Sequence, residues 1–151
     1  MPKAMKEAMD ETLRGILDGR PQAEVDDHLS TLISKGISGD MGEDLLMVGK
    51  LKKQLSQYKV LSGASAGVMW AKNNLGIDYK VDDSFLTAIN KRGQYMAFDK
   101  IEQLPKGAEI DWSEMTERYI VNKACSIYDL VGWNTTPLWN AHRGIGSVQW
   151  L

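Results

Sequence analysis

Cys125 and His142 are the residue types that could cleave an ester or an amide. The chain has one cysteine and two histidines. A thiol site would therefore pair Cys125 as nucleophile with His142 of "NAHRG" as base; the other histidine is His28 of "EVDDHLS". Such a site needs a thiolate, a base and a third group that orients the base. Nothing around Cys125 marks a cysteine hydrolase. It follows Ala124 in the middle of a helical pattern, and there a free cysteine behaves as a small buried hydrophobe. His28 stands among acids on a helix, as a solvated surface histidine does. Paired acids are the other source of chemistry: Asp26/Asp27, Glu43/Asp44 and Asp82/Asp83, with Asp40 nearby. Such pairs can bind a metal or move a proton. Each also stands near a helix start, where a carboxylate stabilises the helix dipole, and that reading is preferred. No EF-hand loop and no phosphate loop is present; "GASAG" (63–67) lacks the lysine and the preceding strand. The expectation is a chain with no catalytic residue, no metal ligand and no cofactor.

Nucleic-acid reading is tested by "HLSTLISKGISGDMGEDLLMVGKLKKQ", which has the outline of helix, turn, helix. A recognition helix brings basic or amide groups to the groove at its N-terminal end. This one would present Glu43 and Asp44 to phosphates, and Lys50, Lys52 and Lys53 come only later. The net charge of −2 over 151 residues and a pI near 5.7 also deny the chain a broad basic footprint. Nucleic acid is not an expected partner.

The elements that must position these groups are mainly helical. Hydrophobic residues are 43% and charged residues 25%, which suits a folded domain rather than disorder. One cysteine excludes a disulfide framework and suits a reducing compartment. The N-terminus, "MPKAMKEAMDETL", has acids where a signal peptide needs an apolar run. The longest apolar stretch, "VLSGASAGVMWA" (60–71), is too short to span a bilayer.

Met5, Met9, Leu13 and Ile16/Leu17 predict an amphipathic helix over 2–18, stopped by Gly19 and Pro21. It packs either on the chain's own core or, as an arm, on a neighbouring subunit. Val25, Leu29, Leu32 and Ile33 predict a second helix over 23–35. A third helix is expected from Glu43, with Leu45, Leu46, Val48, Leu51, Leu55 and Tyr58 as its apolar positions, and with room to continue through "SGASAGVMWAKNN" to Gly76. A kink is expected near Ser62–Gly63, because glycine weakens helices. Gly63 and Gly67 would let another helix come close. "VDDSFLTAINKRG" reads as a short helix capped by Asp82 or Asp83 and ended by Gly93, or as a hairpin with "NKRG" as its turn; the helix is favoured. Asp111 and Glu114 form a capping-box pattern, and Glu114 and Arg118 are spaced for an ion pair. From there Met115, Tyr119, Ile120, Ala124, Ile127, Tyr128 and Val131 make an apolar stripe ended by Gly132. The last segment, "GWNTTPLWNAHRGIGSVQWL", holds three of the five tryptophans. It must fold back on its own domain or bury itself in a partner.

The fold class expected is thus mainly α: amphipathic helices in a small bundle, with room for one short hairpin or strand, and an extended C-terminal tail. Residues 1–132 form a single helical domain, with 1–20 able to serve as a docking arm, and 133–151 form the tryptophan-rich tail. Trp133, Trp139, Arg143, Trp150 and Leu151 are the candidate partner contacts, because tryptophan and arginine are favoured interface anchors.

The run "EMTERYIVNKA" (114–124) resembles one helix of the tail tubular protein A family, the head–tail adaptors of short-tailed bacteriophages. The matching residues are Glu114, Arg118, Tyr119, Ile120, Val121, Lys123 and Ala124, entered by the loop "IEQLPKGAEIDW". The resemblance covers about one seventh of the chain. The N-terminal helices have no counterpart in it, and the tryptophan-rich tail replaces the family's next long helix. It implies a homo-oligomeric virion component that forms a connector ring with portal or tail proteins, is assembled in the host cytoplasm and has no catalytic site. The alternative is a small soluble phage regulator that binds and blocks one host protein.

Overall fold

Two prolines start the first two helices. The computed structural model describes residues 1–144. Pro2 precedes α1 (Lys3–Leu17) and Pro21 precedes α2 (Gln22–Ser38), each in an extended conformation that the ring favours. Gly39, in the left-handed region, ends α2. The chain then makes a 3-10 turn (Gly42–Leu45) and β1 (Met47–Gly49). After a second 3-10 turn (Leu55–Gln57) come α3 (Ala64–Leu75), β2 (Phe85–Ile89) and β3 (Tyr95–Phe98). A 3-10 turn at Ile101–Gln103 leads to α4 (Trp112–Thr116), which runs through a π-helical turn (Glu117–Val121) into α5 (Asn122–Val131). A last helix, α6 (Thr136–His142), follows. The chain is mainly α, with one three-stranded antiparallel sheet in the order β1-β2-β3. Among the described residues, no helix is long and apolar enough to cross a membrane.

The chain divides into two compact units. Unit 1 is Met1–Leu45 together with the chain from Trp112 onward; unit 2 is Leu46–Asp111. In unit 1, α2 contacts α1, α4 and α6, and α1 also contacts α5. The core is Val25, Leu29, Ile33, Met115, Ile120, Val121, Tyr128 and Leu138, all fully buried. The expected second helix thus buries all four residues named for it.

Helix α1 buries a different face from the one its large residues suggest. Ala4, Met5, Ala8, Thr12 and Gly15 face inward, while Leu13 is 43% exposed and Leu17 83%. The reason is close approach. A Cβ at Gly15 would lie 2.4 Å from Val25 Cγ2 on α2, so only the small side of α1 fits there. Thr12 fits because its hydroxyl donates to the Ala8 carbonyl at 2.7 Å.

The expected long third helix is not formed. Met47, Val48 and Gly49 instead pair with Thr87, Leu86 and Phe85. Gly49 weakens a helix but suits the strand, since a Cβ there would meet the Phe85 ring at 2.8 Å. Apart from the two 3-10 turns, only α3 remains helical, starting at Ala64 just after the break expected near Ser62–Gly63. The neighbour that Gly67 admits is a strand, not a helix: its missing Cβ would sit 3.0 Å from the Met96 carbonyl carbon on β3.

The helix favoured for 82–93 is a hairpin. Leu86, Thr87, Ala88 and Ile89 pair with Phe98, Ala97, Met96 and Tyr95. Asn90 closes the turn: its Oδ1 accepts from the backbone N–H groups of Arg92 and Gln94, both at 3.0 Å. Asp83, taken as a helix cap, accepts from the Lys80 N–H at 2.8 Å in a separate turn. Local side-chain bonds of this kind compete directly with helix.

Gly67→Ala tests the contact between α3 and β3. It should lower stability by about 1–3 kcal/mol through overpacking, read as a lower urea midpoint at unchanged slope. An unchanged midpoint would mean that the strand withdraws without cost.

Candidate functional site

The thiol and the imidazole are both engaged in structure. Cys125 is buried on α5, and burial, followed by the charge of Asp129, pushes its thiol up to about 11. That is the opposite of the depressed value a nucleophilic cysteine requires. His142 Nε2 lies 2.9 Å from the Ser113 carbonyl and 3.2 Å from its hydroxyl. A carbonyl only accepts, so Nε2 carries the proton and ties α6 to α4. His28 is exposed, with Glu11 at 3.8 Å.

The acids are equally dispersed. Asp26 accepts the Tyr128 hydroxyl at 2.6 Å. Burial, then this hydrogen bond, raise the pKa of Tyr128. In unit 2, Tyr79 donates to Asp99 at 2.9 Å, and its pKa is raised for the same reasons. Asp27, Asp40, Glu43 and Asp44 are exposed. Among the described residues, no group of three or more acids, histidines or cysteines is placed to hold a metal. The Glu114–Arg118 ion pair expected from the spacing is present at 2.8 Å.

Three of the five candidate contact residues lie in the described part of the chain. Trp133 is half-buried, its ring edge-on to Tyr128 at 5.1 Å. Trp139 is half-buried on α6, with its ring 6.1 Å from that of His142. Arg143 is exposed just beyond α6. Trp150 and Leu151 lie outside the described residues. Both α1 and the tail as far as Gly144 belong to the chain's own unit 1. Trp133 and Trp139 are therefore each partly covered by their own unit.

Two surfaces hold apolar residues more exposed than these tryptophans. The first is one end of unit 1. Gln22 Nε2 donates to the Asn134 carbonyl at 2.8 Å, which sets the α1–α2 turn beside the α5–α6 turn. Leu17, from the end of α1, is 83% exposed; Leu130, from the end of α5, is 86% exposed; Val131 is exposed too. Three acids stand among them, Asp18, Glu24 and Asp129, all exposed, with Arg20 3.8 Å from Asp18.

The second lies in unit 2. Between Asp44 and Asp78 there is no acid, only Lys50, Lys52, Lys53, Lys59 and Lys72. All five are exposed, and Val60 and Leu61 beside them are exposed as well. This segment and α3 border a groove of about 570 Å³, whose lining includes Leu51, Leu55, Met69, Lys72, Lys80 and Val81. In the groove, Lys80 pairs with Asp78 at 2.6 Å, and this lowers the Asp78 pKa. The lysine-only run was visible in the sequence; its meeting with α3 around a groove depends on the three-dimensional fold. No family model and no curated protein matches this chain.

The pH response of Cys125 follows from its burial. An unfolded cysteine loses its proton near pH ~8.5, well before the folded one. The folded state then holds the extra proton, so stability is full below that point and falls as pH rises towards about 11. Denaturant titrations across this range should show the decline in wild type and a smaller one in Cys125→Ala. Native-state alkylation at neutral pH as fast as that of a free thiol would contradict the burial.

Proposed function

We propose that this chain is a structural assembly protein. It is the subunit of a homo-oligomer, and its setting is a bacteriophage virion, as a head–tail adaptor or connector. The observation that carries the assembly reading is the apolar end of unit 1. Helix α1 buries its alanines and glycine and leaves Leu13 and Leu17 in water. Helix α5 does the same with Leu130. Covering one such leucine contributes about 1.5–3 kcal/mol, and a neighbouring copy supplies the cover.

The virion setting rests on the resemblance of Glu114–Ala124 to the adaptor family. In that run Ile120, Val121 and Ala124 are core residues of unit 1, while Glu114 and Arg118 pair on its surface. The segment would thus shape the subunit, and the leucines at its far end would meet the neighbour. Residence in the virion and assembly in the host cytoplasm belong to the same proposal, which includes no reaction and no cofactor.

The Leu17→Ser, Leu130→Ser double variant tests it. Both positions are exposed, so helix content by circular dichroism should match wild type. Self-association followed by sedimentation should weaken roughly tenfold per leucine. Sedimentation identical to that of an assembling wild type would remove this end from the contact.

A further inference from the structure

The two exposed apolar surfaces carry opposite charge. Unit 1 has eight lysines and arginines against thirteen acids, net −5; unit 2 has ten against seven, net +3. The asymmetry is concentrated at the surfaces themselves. The end of unit 1 sets Leu17, Leu130 and Val131 among Asp18, Glu24 and Asp129. The loop of unit 2 sets Val60, 75% exposed, and Leu61 among Lys52, Lys53 and Lys59.

We infer that the assembly contact is heterologous: the basic, apolar loop of unit 2 in one copy seats on the acidic, apolar end of unit 1 in the next. This rests on the assembly reading and adds its geometry. A contact of unit 1's end with itself would bring Asp18, Glu24 and Asp129 towards the same acids, and the cation beside them, Arg20, already pairs with Asp18 at 3.8 Å. Like charges at a contact are costly, and opposite charges fix partner and register. The groove beside the loop offers apolar lining from Leu51, Leu55, Met69 and Val81, with Lys72 and the Lys80–Asp78 pair in the same lining. The loop's lysines are available for such a contact. Lys53 lies 4.8 Å above the Tyr58 ring, and none of Lys52, Lys53 and Lys59 is in an ion pair among the described residues. A head-to-tail contact of this kind repeats from copy to copy and closes into a ring when its rotation permits. A nucleic-acid strand would also meet these lysines, but the loop's aromatic ring, Tyr58, is half-buried, accepts from the Lys52 N–H and lies under Lys53, so it is not free to stack on a base.

Two charge reversals of the full chain test the inference. One carries Lys52→Glu, Lys53→Glu and Lys59→Glu; the other carries Asp18→Lys and Asp129→Lys. Each alone should weaken self-association on the order of a hundredfold, and an equimolar mixture should restore assembly, because each then meets a complementary surface. In wild type, association should weaken as salt rises from about 0.01 M to about 1 M, where the screening length shrinks from ~30 Å to ~3 Å. A wild type that assembles, but is indifferent to the lysine reversal and to salt, overturns the heterologous contact and leaves the assembly reading standing. A wild type that stays monomeric at every concentration overturns both. A single-stranded oligonucleotide that binds wild type and is lost with the lysine reversal, while assembly persists, assigns the loop to nucleic acid and overturns the inference.

Discussion

The hydroxyl of Tyr128 donates to Asp26 across 102 positions of sequence, and this bond ties the returning segment of unit 1 to its first. The chain leaves unit 1 after Leu45 and returns to it at Trp112. The returning helix must find α2 and stay in register with it. Tyr128 is fully buried, so an unpaired hydroxyl there would be costly, and Asp26 stands where it can accept. The same ring gives Trp133 a face to lean on, and Gln22 then bonds to Asn134 one residue further. These two hydrogen bonds hold the first turns of α2 against the end of α5 and the turn that follows it.

The helix that carries Tyr128 is shaped for this task. Met115 and Thr116, Ile120 and Val121, and Ala124 and Cys125 are adjacent pairs, all buried. The first two pairs are five residues apart. A regular α-helix would rotate one of them away, whereas the π turn over Glu117–Val121 keeps both inward. The wide turn costs regular hydrogen bonding, and the burial of four side chains offsets it. Leu130 and Val131 then emerge on the outside. The apolar end of unit 1 follows from two packing constraints, the small face of α1 and the wide turn between α4 and α5.

Much of this was legible in sequence where local signals and packing agree. Helix α2 lies over its predicted stripe, and Gly132 ends α5 as expected. The ion pair of Glu114 with Arg118 followed from spacing alone. The failures share a cause. In 43–58 and 82–93, apolar residues fall at spacings that suit a helix or a strand. The choice was made by partners distant in sequence: Thr87 for Met47, Met96 for Ala88. The inward face of α1 was misread because large residues usually point inside, and only the proximity of Val25 to Gly15 reverses that here. The tryptophans stood out in composition, yet Trp133 and Trp139 are half covered by their own unit. The more exposed surface residues are leucines, valines and lysines that composition alone does not single out.

The central claim is that these exposed surfaces exist to meet other copies of the chain. Absolute mass in solution, by light scattering across a wide range of protein concentration, tests it most directly. The account predicts one discrete assembly whose mass is an integral multiple of the 16.9 kDa chain, giving way to smaller species on dilution. A mass of 16.9 kDa at every concentration would contradict it.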